Sequence, residues 1–547
     1  MRKTFLLTTT AVVAVMAFAL TAEAGGRTAK DTRDAEIQEL KARLDRLEQQ
    51  SAEDQRANQD AAVQEQSRLL KIEKTPMTIA NGRPCFNTAD NSFSACFRAR
   101  LHLDAVDYFQ NRSDFNPGTP LNVEDLANGV SFRRAYFGLE GRFMTDWEYE
   151  IRLNFAGSGV ENAGFSAANN GAQWINLARV AYRGIPNFKV NFGAIEPLFT
   201  LADSTSSNEL PFMERASVVA AVLGPFGGDD ARKGFELTYQ KVGTFWPSDN
   251  LLVSGAFTAS RTGQAHNDTT AGQNDEQTAL LGRIADRIYS DPETNIQIGA
   301  SASHVFNFPA NPTVLVPPGA VPTVSFADFP EVRMNSTQLI GTGNIAADSA
   351  TLVGLEAVAT FRNFYVGGEY YTWKVDGAGV AGCAINTSTC ERGLSPKFSG
   401  YYFEGSWVIT GEFKGYDAAH ASLQSPKPDH PFDPIHGTGW GAFELLARYS
   451  DINLNWHEGN QTQLDATVAA LGGVRGGEQK ITTLGLNWYL NNNLRFMFDY
   501  EMVDVDRLGN PVAQPTGVPA ICVVPGTVSC QAGQKLSIFG TRASFAF

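Results

Sequence analysis

Past residue 24, this 547-residue sequence has no unbroken apolar run approaching the roughly 20 residues of a membrane-crossing helix, so a helical span is excluded there. Basic residues are in deficit: 44 Lys and Arg stand against 58 Asp and Glu, a net charge of −14. That balance argues against nucleic acid as a partner, which needs basic surface. The seven histidines are scattered, and no HExxH, GxSxG or P-loop spacing occurs. Nothing therefore points to an enzyme, a metal site or a cofactor. Among the six cysteines no CxxC pair of the zinc or thioredoxin-like kind is found.

What is present begins with an export signal. Arg2 and Lys3 precede an apolar run from Phe5 to Leu20, and Ala22-Glu23-Ala24 is a small-residue cleavage site, so residues 1–24 read as a signal peptide. In an exported chain disulfides persist, and the cysteines fall into three close pairs: Cys85–Cys96, Cys383–Cys390 and Cys522–Cys530. Each pair lies in loop-like sequence, where a local disulfide would close a loop; free thiols are the alternative. The chain also holds 36 Phe, 15 Tyr and 51 Gly, yet its mean hydropathy is only −0.19. A wall facing lipid on one side and water on the other has that balance.

Residues 25–80 form a polar segment. Ile37, Leu40, Leu44 and Leu47 follow the 3-4-3 spacing of heptad a and d positions, with charges between them. The pattern then decays into Gln, Asn and Asp and resumes weakly at Leu69, Leu70 and Ile72. The spacing predicts a short periplasmic coiled coil that oligomerises the chain; a solvated helix or linker is the alternative.

From about Cys96 the period changes to two. Phe97, Ala99, Leu101 and Leu103 alternate with Arg98, Arg100, His102 and Asp104, and Trp147 to Phe155 alternate in the same way. The last strand ends on Phe547, with Phe539, Phe545 and Phe547 on one face and Arg542 on the other. Counting such segments gives sixteen strands, an all-β, antiparallel transmembrane barrel over residues 81–547. Asn491–Asn493 and Phe361–Asn363 read as short periplasmic turns. The long stretches 109–129, 262–276, 308–349, 376–397, 414–438, 455–477 and 506–535 read as extracellular loops. A barrel of this size is expected to enclose a water-filled channel rather than a packed core. Lumen-facing arginines then include Arg98, Arg100, Arg179, Arg232, Arg283, Arg287 and Arg448, each either free to meet a solute or paired with a wall acid such as Glu140 or Glu444.

One segment breaks the meander. Residues 196–230 are long and polar, with two prolines before Arg215 and no lasting alternation, the pattern of a loop folded inward to constrict the pore. Here the sequence resembles the phosphate-selective porin family, porins O and P. The resemblance rests on Phe132-Arg133-Arg134-Ala135-Tyr136, on Thr205-Ser206-Ser207 with Phe212-Met213-Glu214-Arg215, and on Gly354-Leu355-Glu356-Ala357. It continues in Phe398-Ser399-Gly400-Tyr401-Tyr402, Glu444-Leu445-Leu446-Ala447-Arg448-Tyr449-Ser450 and Gly485-Leu486-Asn487-Trp488-Tyr489-Leu490.

The resemblance implies a homotrimer of sixteen-stranded barrels in the bacterial outer membrane, in contact with its lipid. It further implies passive diffusion of small anions such as phosphate through an arginine-lined channel. Arg133 and Arg134 match the family's paired arginines, and Ser206, Ser207 and Arg215 match the serine pair and arginine of the constriction loop. Phosphate-selecting members carry a lysine shortly before the serines, where this chain has Asp203. Between Glu196 and Arg215 four acids face one base. The alternative is a general or sugar-type porin whose acidic eyelet passes neutral or cationic solutes.

Overall fold

The protein is described from a computed structural model. It describes residues 28–73, 77–80, 82–110, 126–156, 174–262, 276–316, 319–335, 337–378, 395–459, 473–509, 530–531 and 533–547. The signal peptide, Cys383, Cys390 and Cys522 lie outside these residues. The chain forms two units, divided after Thr75. The first is one helix, α1 (Thr28–Glu73), which leaves Ile37, Leu40, Leu44 and Leu47 exposed on a single copy.

The second unit is the barrel. Its sixteen strands begin with β1 (Phe93–Phe109), β2 (Gly129–Phe143), β3 (Trp147–Asn154), β4 (Ile175–Tyr182) and β5 (Phe188–Ile195). Then come β6 (Arg232–Val242), β7 (Asn250–Arg261), β8 (Thr278–Ser290), β9 (Thr294–Asn307), β10 (Ile345–Phe361) and β11 (Phe364–Gly377). The wall is completed by β12 (Lys397–Val408), β13 (Ala442–Trp456), β14 (Val474–Tyr489), β15 (Leu494–Asp506) and β16 (Lys535–Ala546). Each pairs antiparallel with the next. β16 bonds back to β1, with Phe545 opposite Leu101, so the wall closes. Closure satisfies the backbone groups that lipid cannot.

Period two sets what each face carries. On β16, Phe539 and Phe545 face out while Gly540, Arg542 and Ser544 are buried inside. At the short-turn end the outward residues are aromatic: Trp147 meets Tyr182 at 4.9 Å, Phe364 stacks on Trp407 at 5.8 Å and Phe443 on Trp488 at 5.7 Å. These rings form a membrane-interface girdle. Below β16, a small hairpin (Met77–Ala80 and Arg83–Asn87) continues the sheet along β1, with a disulfide joining Cys85 to Cys96 at a Cα separation of 4.1 Å.

Two expectations are corrected. The lumen is not water-filled throughout. The loop 196–231, with its helices α2 (Leu201–Ser204) and α3 (Ser217–Leu223), folds inward together with residues 325–344 of the β9–β10 connection. Phe199, Val218, Val222 and Phe226 of the first, and Phe326 and Ile340 of the second, form an apolar core with the inward residues Trp373 and Phe398. A wide wall leaves a hollow, and apolar loop residues fill part of it to escape water. The 414–438 stretch, read as extracellular, instead belongs to a connection at the opposite end. Trp407 pairs with Phe364, directly beside the short turn 362–363, so the chain leaves β12 on the short-turn side. Its inner limb enters the lumen from there. Asn250 and Arg283 of the wall donate to the carbonyls of Ala418 (3.2 Å) and Ala421 (2.8 Å), and Tyr416 donates to Gln297 (2.8 Å).

Candidate functional site

The two inward intrusions meet inside the barrel, where the backbone N–H of Ser425 donates to Glu209 (2.6 Å). Beside them a polar cavity of about 1070 Å³ remains, displaced toward the wall of β1–β6. It runs from Arg183, Asn187 and Asn492 at the short-turn end to Arg152 and Asp230.

Alternation on β1, β3 and β4 delivers the arginines of this wall. Arg98 donates to Glu140 (2.6 Å) and Glu150 (2.9 Å), and Arg179 to Glu150 (2.9 Å) and Asn191 (3.0 Å). Arg152 pairs with Glu196 at 2.9 Å and lies 3.6 Å from Asp230. Arg100 differs. Its Nη1 donates to Ser207 Oγ (2.5 Å) and its Nη2 to Ser206 Oγ (2.8 Å), and no carboxylate among the described residues lies within ion-pair distance. Its guanidinium sits 5.6 Å from the Tyr136 ring centroid, and that of Arg152 lies 5.2 Å from the same ring. The serine pair thus meets Arg100, with Arg98 and Arg134 also on the cavity wall.

The other expected site residues serve the scaffold. Arg133 follows a β-bulge: His102 opposes Arg134 and Leu103 opposes Phe132, so Arg133 is the extra residue and two successive arginines both face inward. Arg133 then forks onto both oxygens of Glu214 (2.9 Å each), and Arg134 reaches the same carboxylate at 3.3 Å. Arg215 donates to the carbonyls of Ala202 (2.8 Å) and Thr205 (3.1 Å), closing the end of α2. Arg232 does the same for α3 through Gly224 and Gly228. Arg283 is fully buried on Glu356 and holds the inner limb. Their charge is used within the wall because donors facing a packed lumen need acceptors.

Glu214 is the hub of this scaffold, accepting also from Arg542 (2.6 Å), which forks onto Asp104 (2.7 Å to each oxygen). At the far side of the loop, Glu369 on β11 accepts the N–H groups of Leu201 (2.8 Å) and Ala202 (3.1 Å), and Thr200 caps α2 through Asp203 N–H (3.0 Å). Asp203 itself is buried. Burial pushes its carboxyl up to about 8, against the pull of Arg215. Sequence reasoning placed Arg179 in the lumen but passed over Tyr136, Arg152 and the role of Glu214. Arg152 was within reach of the same period-two count.

The chain is similar to known proteins. The family model described as "Phosphate-selective porin O and P" matches residues 108–518. Porin O of Pseudomonas aeruginosa is 23% identical over 432 residues, covering 77% of this chain and 86% of its own length. A Caulobacter vibrioides protein described only as uncharacterized is 23% identical over 427 residues, covering 77% of this chain and 71% of its own. Among solved structures, the anion-selective porin from Comamonas acidovorans is 12% identical with a TM-score of 0.43, covering 83% of this chain and all of that one.

Removing one partner of a buried charge network leaves the others unpaired at a cost of about 3–5 kcal/mol. Glu214→Ala should therefore lower stability by about that amount in urea titrations of the folded barrel. A change under about 1 kcal/mol would show that Glu214 does not organise the network.

Proposed function

This chain belongs to the phosphate-selective porin O and P family and is an outer-membrane porin, and we propose that it passes small anions, phosphate among them, along the arginine-bearing wall of its cavity. The observation that carries this reading is Arg100. Its guanidinium lies on the cavity wall with no carboxylate among the described residues paired to it, holding two serine hydroxyls that are themselves able to donate. An anion arriving there can exchange hydration water for charge-assisted N–H donors and hydroxyls. One such contact binds weakly enough for exit, as conduction requires.

The anion preference is expected to be modest. Among the described residues ten Lys and Arg side chains and ten Asp and Glu side chains line the cavity. Asp203 tips this balance, because below about pH 8 its buried carboxyl is largely protonated. The even count favours one other reading, a general porin open to neutral and cationic solutes.

The porin is proposed to work as a homotrimer, with the heptad stretch of α1 joining three copies in the periplasm. Ile37, Leu40, Leu44 and Leu47 would form the shared seam. At the flanking g and e positions Glu36 precedes Lys41 and Arg43 precedes Glu48, so each parallel g–e′ contact between copies pairs opposite charges. Two heptads are marginal alone, but attachment to neighbouring barrels raises their effective concentration.

In bilayer recordings under a KCl gradient, the wild type should show weak anion preference, and Arg100→Ala should lower the Cl⁻/K⁺ permeability ratio by up to about fivefold, the worth of one near charge in water. An unchanged ratio, or cation preference in the wild type, would favour the general-porin reading. Ionising Asp203 adds negative charge to the cavity lining, so anion preference should fall as pH rises through about 8. The decline should be absent in Asp203→Asn, and an equal decline in both proteins would sink the assignment. Deleting residues 25–76 should lower the temperature at which trimers dissociate on semi-native gels; an unaltered temperature would remove the helix from assembly.

A further inference from the structure

The 409–441 connection divides at the barrel rim. Residues 414–428 turn into the lumen, but residues 429–441 fold against the lipid-facing side. This outer limb is compact. Gly441 N–H donates to the His430 carbonyl (3.0 Å) and Asp433 N–H to that of Gly439 (3.1 Å). The Asp433 carboxylate accepts from the N–H groups of Ile435 and His436 (3.1 Å each) and from His436 Nδ1 (2.7 Å). The limb is also fastened to the wall. Trp488 Nε1 donates to the Trp440 carbonyl (2.7 Å), Phe432 N–H donates to that of Leu490 (2.7 Å), and the Phe432 ring meets Trp488 edge-on at 5.2 Å.

Trp488 faces outward, stacked on Phe443 within the aromatic girdle. Phe432 therefore adds a ring to the girdle from below the last strand residues. Two large apolar side chains are left uncovered: Ile435 is 86% exposed and Trp440 71%.

We infer that residues 429–441 are a lipid anchor, inserting Trp440 and Ile435 into the headgroup–acyl boundary of the membrane leaflet on the short-turn side. Three observations identify this partner. The limb is continuous with the girdle, which already marks where membrane meets water. Its apolar tips are an indole and an aliphatic chain on a hydrogen-bonded loop, so insertion orders little that is not already ordered. Its charged groups are Asp429 and Asp433, with no Lys or Arg from 429 to 441, and Asp433 is engaged within its own turn. A zwitterionic phospholipid fits that composition, whereas an anionic headgroup would be repelled.

The test uses the full-length protein in phosphatidylcholine vesicles carrying bromine near the headgroup end or near the tail end of the acyl chain. Subtracting the emission of Trp440→Phe from that of the wild type isolates Trp440. Its emission should be quenched several-fold more by shallow than by deep bromine, and little by aqueous acrylamide. A tryptophan placed by Ile435→Trp in the Trp440→Phe background should behave alike. Quenching by acrylamide alone would mean that the limb stands in water, and protection from both quenchers would mean that protein covers it. Either result overturns the anchor. Quenching that grows as anionic lipid replaces phosphatidylcholine would overturn the headgroup assignment.

Discussion

The closing seam of the barrel is held by charge. Arg133 and Arg134 come from β2, Asp104 from β1 and Arg542 from β16, the three strands around the point where the wall joins itself. Glu214, from the constriction loop, takes one or more bonds from each of the three arginines. A single carboxylate thus ties the loop across the seam, in surroundings where an unpaired charge is strongly disfavoured. The rest of the loop follows from that attachment. Met213 N–H donates to Asp499 on β15 (2.8 Å), and Ser217 N–H reaches Glu331 (3.1 Å), which also receives Arg448 from β13. With both ends secured, α3 can lay its valines against the opposite wall and exclude water from that half of the lumen.

This division explains why the solute path is eccentric. One half of the cross-section is a protein core, and the other is lined, among the described residues, with as many Lys and Arg side chains as Asp and Glu. In such a passage, net charge says less than arrangement. Six of the eight described arginines on the cavity wall are paired with acids, whereas Arg100 is held in place by hydroxyls, which orient a guanidinium without cancelling its charge.

The wall was legible in the sequence because lipid enforces a strict rule. Charges are costly on one face, so the period of two survives along most of the wall, and Phe539, Arg542 and Phe545 already declare their sides. The inward loop near 196–230 was legible from the loss of that period. Which arginines stay available was not, since the answer depends on acids far away in the chain: Glu214 for Arg133, Glu356 for Arg283. Arg133 was doubly hidden, because a bulge breaks the alternation that would have pointed it outward. The misplacement of 414–438 has another cause. Length and polarity suggest an external loop, but the side of a connection is set by whether the preceding strand is odd or even, and β12 is even.

That parity bears on how the molecule is put together. A chain delivered from the periplasm must thread the 196–231 loop, with Glu196, Asp203, Glu209, Glu214 and Arg215, through the plane of the membrane before it can settle in the lumen. The 409–441 connection makes no such journey. It stays on the side of entry and grips both surfaces of the wall like a clip, its inner limb fastened to β7, β8 and β9 and its outer limb to β14. Its docking is accordingly a late event, able to occur only on a wall already formed there.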